Sequence, residues 1–438
     1  MATKSGHGRV SRRRFMQGAA AAGLAAGSAH ILRAAPIGTG TSFKVGLIGC
    51  GGRGGGAIGD HLRAAKALDK ALNLGLQCTP WAFADWSKGK AEGQGNRYGV
   101  PKERCFGGAD GYRKLIGSGV DIVLMAQPPV FRPLHFEACV EAGKHVFFEK
   151  PAAVDAPGCR RVIAAGEKAK EKGLAVVAGT QRRHDRGYMR RAAEVHDGAR
   201  GRILGGRVSW CQGKIFSNRP INPKGPGDLA GGGRWQLWIE MSGDHICEQH
   251  VHNLDVANWF LNAHPDAAVG FGGRARRIAG NMYDFFSIDL EYPGRVHIHS
   301  TCRQVGGCFN WVGEHFTYEK NPPRDYKPKL AIPEEVPFEG GAYVQEHIDL
   351  LYFLLKGKPL NEAKNVAWAT AAAVMGRDSA YTGKRITWKE MMVEPRKNLK
   401  PGDIDFYNRQ LKPTAEDFER DQLPCMPKDG DAPIPGEA

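Results

Sequence analysis

The sequence predicts an α/β chain, with an N-terminal Rossmann-type dinucleotide-binding domain followed by an α+β domain. Three observations carry that expectation. A short apolar run, Phe43-Lys44-Val45-Gly46-Leu47-Ile48, leads straight into Gly49-Cys50-Gly51-Gly52-Arg53-Gly54. Strand-like and helix-like segments then alternate as far as Ala178, the pattern of a parallel sheet. Beyond them strand-like segments gather and helices return near the end, which marks a second domain of different build.

The chain has 438 residues, 42% hydrophobic and 24% charged, room for two or three domains at about 100 to 200 residues each. These fractions exclude a disordered chain, a disulfide-stapled miniature and a membrane bundle. The formal net charge of +15 is not a nucleic-acid signature, because Lys4, Arg9, Arg12, Arg13, Arg14 and Arg33 lie in an N-terminus without acids, and the remainder carries only +9.

Ser11-Arg12-Arg13-Arg14-Phe15-Met16-Gln17, followed by a small-residue tract over 18–29, predicts a twin-arginine export signal in residues 1–35. That pathway carries folded proteins, often with a cofactor installed first. The expected destination is the periplasm, and the export machinery is the first expected partner. No other stretch approaches the ~18 apolar residues of a membrane span. The 10 cysteines form no CxxC pair, so most read as small buried hydrophobes and no metal framework is expected. An oxidising destination permits a disulfide such as Cys302 with Cys308.

In the first domain, residues 43–182, each glycine of the loop has a task. Gly49 makes the tight turn, Gly51 lets the backbone approach a pyrophosphate, and Gly54 lets helix and strand pack closely. Gly52 and Arg53 complete the cofactor loop at the start of a helix containing Ile58, Leu62, Ala65 and Leu68, whose N-terminus favours phosphate. The second strand, 81–84, ends in Asp85. A carboxylate there accepts ribose hydroxyls and repels a 2′-phosphate, which favours NAD over NADP. Asp85 lies 31 residues after Gly54, beyond the usual interval of about 20, so a long first helix and loop are required. Helices at 87–98, 108–116, 132–142 and 156–172 then alternate with strands at 120–126, 145–148 and 174–178. Gln127-Pro128 and Glu149-Lys150-Pro151 follow two of these strands and are expected to face the nicotinamide half of the dinucleotide. Gln181 completes the cofactor set.

With its glycine loop and Glu149-Lys150-Pro151, the chain resembles the Gfo/Idh/MocA oxidoreductase family from roughly residue 43 to residue 392, ending with Ser379-Ala380-Tyr381-Thr382-Gly383-Lys384. The resemblance implies an open, mostly antiparallel sheet in the second domain, covering the nicotinamide. It also implies that Lys150 contacts a substrate hydroxyl and helps move its proton.

The second domain, residues 183–395, reads as a helix at 187–196, strands at 203–212, 267–275, 285–292 and 296–302, and helices at 344–355 and 363–375. Residues 396–438 read as a surface arm. The chemistry concentrates in residues 243–255. Glu248 and His252 are four apart, so on a helix they share a face and the carboxylate can orient the imidazole. The family usually shows Asp-x-x-x-His-x-x-Asp there; Glu248 replaces the first Asp, while His252 and Asp255 fit. Lys150, Glu248 and His252 are therefore the expected catalytic set. For substrate, the tryptophan faces of Trp210 and Trp235 suit sugar C–H faces, and Arg183, His184, His250 and Asp255 are further candidates. Without HExxH, and with His250 and His252 diverging on a helix, no metal site is expected.

The expected reaction is hydride transfer from a secondary alcohol of a sugar to NAD, with His252 or Lys150 taking the hydroxyl proton and Lys150 stabilising the alkoxide. Export removes the enzyme from soluble NAD, so the cofactor is expected to be tightly held and recycled on the enzyme. One alternative is redox-neutral, NAD-dependent glycoside hydrolysis by oxidation, elimination, water addition and reduction. Another is a non-catalytic protein that binds dinucleotide and sugar. A homo-oligomer is expected in each case.

Overall fold

The computed structural model describes residues 40–213, 234–277 and 279–394. The expected export signal, residues 1–35, and the expected C-terminal arm, residues 396–438, lie outside the described residues. The first sheet is parallel throughout, with strand order β3-β2-β1-β4-β5-β6. Its members are β1 (Ser42–Ile48), β2 (Gln77–Asp85), β3 (Cys105–Gly107), β4 (Ile122–Met125), β5 (His145–Phe148) and β6 (Val176–Ala178). Val45, Leu47, Val123, Leu124, Phe147 and Val177 have no exposed surface, as a sheet covered by helices on both faces demands. The order reverses between β1 and β4, where such sheets open a ligand crevice.

The helices are α1 (Gly52–Leu72), α2 (Lys88–Tyr98), α3 (Gly111–Gly117), α4 (Arg132–Glu141) and α5 (Ala156–Glu171). In α1, Ala57, Ile58, Ala64, Ala65 and Leu68 are buried at helical spacing, and Asn73 ends it in the left-handed conformation at φ 51°. Its 21 residues absorb the long interval to Asp85. β3 has only three residues, too few to show a period, and was not anticipated.

After α6 (Arg186–His196), the second sheet takes the order β11-β7-β10-β9-β8-β12. Its strands are β7 (Ile203–Gln212), β8 (Ala267–Gly273), β9 (Phe285–Tyr292), β10 (Val296–Gln304), β11 (Trp311–Tyr318) and β12 (Ile386–Thr387). Only β7 with β10 is parallel, so the sheet is mixed and mostly antiparallel, as expected. β11 carries no clear strand signature in the sequence, because its alternation is interrupted by Gly313-Glu314-His315. One π-helical turn, Ile246–His250, runs into α7 (Val251–Leu261).

The last two helices return to the first half. α8 (Ala342–Leu355) contributes Ile348 and Leu351 to the core that holds Leu47, Phe147 and Val177. α9 (Ala363–Thr382) extends beyond the expected end at Met375, since Gly376 is helical and packs on Ile288, 3.1 Å from where its Cβ would stand. Cys302 is buried and Cys308 exposed, both as free thiols, so the permitted disulfide is not formed. Among the described residues no helix is long and apolar enough to cross a membrane.

Candidate active site

The glycine loop fits a pyrophosphate. Gly49 has φ +91°, and a Cβ there would stand 2.3 Å from the Gln127 nitrogen. At Gly54 it would stand 1.8 Å from the Gly49 oxygen. Only hydrogen fits at either place. Gly51 and Gly52 instead face open space, at the helix N-terminus that favours anions. The Asp85 carboxylate braces this loop, accepting from the Cys50 N–H at 2.8 Å and the Ser87 N–H at 2.9 Å.

A cavity bordered by Asp85, Trp86, Tyr112, Gln127, Pro128 and His135 suits the adenosine half of a dinucleotide. Gln127 and Pro128 thus stand with Asp85, apart from the expected nicotinamide end, because β4 lies beside β1 and its following turn folds over that opening. The Gln127 amide nitrogen is 3.1 Å from His135 Nδ1.

The other end gathers the chemistry. Lys150 Nζ donates to the main-chain carbonyl of Glu248 at 2.6 Å and is 3.9 Å from that residue's carboxylate. Burial pushes the Glu248 carboxyl above its ordinary range, while Lys150 and Arg132 pull it back. His252 is 4% exposed, and its Nδ1 has no hydrogen-bond partner. Burial, then the positive charges of Lys150, Arg182 and Arg53, holds its pKa well below the ordinary imidazole value. The ring is therefore neutral at neutral pH.

The expected contact between Glu248 and His252 is not made: Glu248 Oε1 is also without a partner, and Oε2 faces Lys150. The π-helical turn is the cause, since it widens the backbone between the two residues and breaks the four-residue α-helical spacing.

Around Lys150 the neighbouring residues are tightly paired. Arg53 bonds Glu149, lies 3.2 Å from Asp60 and 3.4 Å from Glu346, and stacks over Tyr343 at 4.8 Å. Gln181 donates to the Tyr343 hydroxyl at 3.3 Å. Arg53 thus bonds Glu149, the residue before Lys150, and meets Gln181 through Tyr343.

Four candidate substrate residues are turned into the core instead. Arg183 makes a forked ion pair with Asp255, at 2.8 and 2.9 Å. His184 bonds Asp349 at 2.7 Å and meets Glu362 at 3.3 Å. Burial disfavours charge on His184, but Glu362 and Asp349 outweigh it and hold its pKa well above the ordinary value. His250 has no exposed surface and bonds Ser300 Oγ at 2.7 Å. Trp210 and Trp235 remain partly exposed.

Two buried arginines that sequence reasoning missed tie the site together. Arg132 donates to the Gln127 carbonyl at 2.9 Å and to the Pro151 carbonyl. Arg377 Nη1 bridges the Val154 carbonyl at 2.7 Å and the Gly243 carbonyl at 3.1 Å, so one nitrogen links the segments carrying Lys150 and Glu248. Both bonds go to main-chain oxygens, which leave no mark in a sequence. Trp86, directly after Asp85, was within reach of pattern reasoning.

Residues 43–179 match the family model described as the oxidoreductase family, NAD-binding Rossmann fold, of the Gfo/Idh/MocA group. An inositol 2-dehydrogenase of Klebsiella pneumoniae (strain 342) is 30% identical over 225 residues, 50% of this chain and 55% of the relative. One from Burkholderia cenocepacia (strain HI2424) is 29% identical over 262 residues, 59% and 66% of the two chains. The chain thus spans about half to two thirds of the length of these relatives.

Among solved structures, levoglucosan dehydrogenase with NADH and levoglucosan superposes with TM-score 0.61 at 15% identity, over 79% of this chain and 99% of that one. Aldose-aldose oxidoreductase from Caulobacter crescentus gives 0.57 at 18%, over 79% and 100%. These two likenesses establish the two-layer fold. With its glycine loop and Asp85, the segment 43–179 forms an NAD-binding Rossmann domain similar to that of the Gfo/Idh/MocA oxidoreductases.

Proposed function

We propose that the chain oxidises a secondary alcohol of a sugar or polyol, using NAD that stays bound and is restored when its reduced form passes the hydride to the carbonyl of a second sugar. The observation that carries this reading is the convergence of Lys150, Glu248 and a neutral His252 beside the cofactor domain. Bound NAD supplies the hydride acceptor. Lys150, fixed by the Glu248 carbonyl, points an ammonium at a developing alkoxide. His252, neutral at neutral pH, accepts the hydroxyl proton. Trp210 and Trp235 offer partly exposed aromatic surface to a sugar ring. The inositol 2-dehydrogenases among the relatives support a polyol substrate.

Export to the periplasm belongs to the same proposal and is supported by the arginine motif at residues 11–17. So does homo-oligomerisation, supported by Phe271 and Phe285, 70% and 39% exposed on adjacent strands of the second sheet. Mass spectrometry of nucleotide released from protein purified without added cofactor tests retention: NAD or NADH is expected, and an empty protein contradicts it.

A second reading, redox-neutral glycoside hydrolysis, is favoured by one feature. The Glu248 carboxylate is buried with a partnerless oxygen, as a second base near the sugar would require. Incubation with p-nitrophenyl glycosides and no added cofactor separates the two. Aglycone release without net reduced nicotinamide selects hydrolysis, and accumulation of reduced nicotinamide on free sugars selects the dehydrogenase.

A further inference from the structure

We propose that Arg182 is a positioning residue for His252, acting through the indole of Trp210. The inference rests on the reading of His252 as the group that takes the hydroxyl proton. Glu248, the acid expected to orient the imidazole, makes no bond to it and stands 3.9 Å from Lys150, and His252 Nδ1 has no hydrogen-bond partner. What holds the ring is Trp210, with centroids 5.6 Å apart and planes 25° apart. That is the offset stacking range of aromatic pairs.

Trp210 is in turn held by Arg182, whose guanidinium carbon lies 5.6 Å from the indole centroid, within cation–π reach. Arg182 does not float in the cleft. It bonds the carboxylate of Glu314, a side chain only 1% exposed. The same carboxylate accepts from Tyr188 Oη at 3.0 Å and from Asn253 Nδ2 at 2.8 Å. Asn253 is the residue after His252. Two routes therefore run from one guanidinium to one turn of α7: through the Trp210 ring to His252, and through the Glu314 carboxylate to Asn253.

This arrangement orients an imidazole without giving it an acid. A carboxylate on Nδ1 would raise the imidazole pKa and favour the protonated ring. A stacked indole fixes the plane and adds no negative charge. The charged and titratable groups that face His252 are Lys150 and Arg53 from the cofactor half, Arg182 from the turn after β6, and His250 on its own element. The Glu248 carboxylate lies 3.9 Å from Lys150, and Glu314 is held by Arg182. His252 thus sits in a cationic surround that keeps it unprotonated, and Arg182 supplies both part of that field and the ring's anchor.

The test is an NMR titration of the His252 imidazole in the full chain with NAD added, for wild type, Arg182→Met and Arg182→Lys. Arg182→Met is expected to raise the His252 titration midpoint by about one pH unit, a tenfold change in protonation. Arg182→Lys keeps the charge but loses the planar fork; its midpoint is expected to stay low while the ring resonances broaden. A folded, NAD-binding Arg182→Met protein with an unmoved midpoint overturns the proposal. If Arg182→Met fails to fold, Arg182→Lys decides alone: unchanged ring resonances overturn it and broadened ones support it. Hydride transfer surviving in His252→Asn would defeat the reading of His252 as base while leaving these titrations untouched, so the two failures are distinct.

Discussion

Lys150 and Glu248 meet through the main chain: the ammonium donates to the Glu248 carbonyl at 2.6 Å, while the carboxylate stands off at 3.9 Å. The lysine is therefore placed by backbone, and the Glu248 side chain is left for other work. Glu248→Gln is expected to keep Lys150 in position and to slow alcohol oxidation by less than about tenfold, a loss under ~1.4 kcal/mol. In the hydrolytic reading the same change removes the second base and slows aglycone release by roughly a hundredfold or more. Parallel assays of reduced nicotinamide and released aglycone on this variant report both effects.

The glycine loop predicts two different failures. Gly54→Ala forces a Cβ to within 1.8 Å of the Gly49 oxygen, so backbone must shift, and both thermal stability and NAD affinity are expected to fall. Gly51→Ala meets nothing within 4 Å in the protein but intrudes where a pyrophosphate must approach. Its melting temperature is expected to match wild type while NAD affinity drops at least tenfold, about 1.4 kcal/mol. Calorimetric titration with NAD beside a melting curve checks the contrast.

Arg183 and Asp255 form a buried forked pair. Arg183→Ala strands the Asp255 carboxylate and is expected to cost about 3 to 5 kcal/mol of stability. Replacing both residues with apolar ones should cost much less. A denaturant series on the single and double variants reads this directly, and equal losses in the two would contradict the pairing.

Several buried histidines set the acid limb of stability. Burial, with Arg113 assisting, lowers His135 to about 3; burial also lowers His250 to about 3, where Asn253 opposes it, and His61 to about 4. Each folded value lies below the ordinary 6.5, so the unfolded chain binds protons that the folded chain refuses. Stability is therefore expected to fall as pH drops below about 6.5 and to keep falling toward about 4, by up to ~1.4 kcal/mol per pH unit for each such group. His135→Gln should flatten that slope by one group's share. Urea unfolding at several pH values between 4 and 7 measures it.

The legible part of the molecule was whatever repeats or punctuates. The β1 run into Gly49 and Gly51 announces itself, and Asp85 could be placed despite its long interval because α1 is simply longer than usual. Lys150, Glu248 and His252, the expected catalytic set, were legible as residues but not as geometry. Four-residue spacing promised a hydrogen bond between Glu248 and His252, and a single π-helical turn cancels it. The same limit explains Arg183, His184 and His250: residue type suggested solvent and substrate, whereas Asp255, Asp349 and Ser300, distant in sequence, claim them. Arg132 and Arg377 bond main-chain carbonyls, which every residue has. Tertiary partners of this kind leave no local signal.

The proposed role of Lys150 in hydride transfer from an alcohol to bound NAD is open to direct measurement. NAD-loaded wild type and Lys150→Ala are mixed rapidly with inositols and aldoses while reduced nicotinamide is followed by absorbance. A rise is expected for wild type with at least one of these substrates, slowed about a hundredfold to ten-thousandfold in Lys150→Ala, with NAD still bound in both. Equal rates in the two proteins, or no rise in wild type with any substrate, would contradict it.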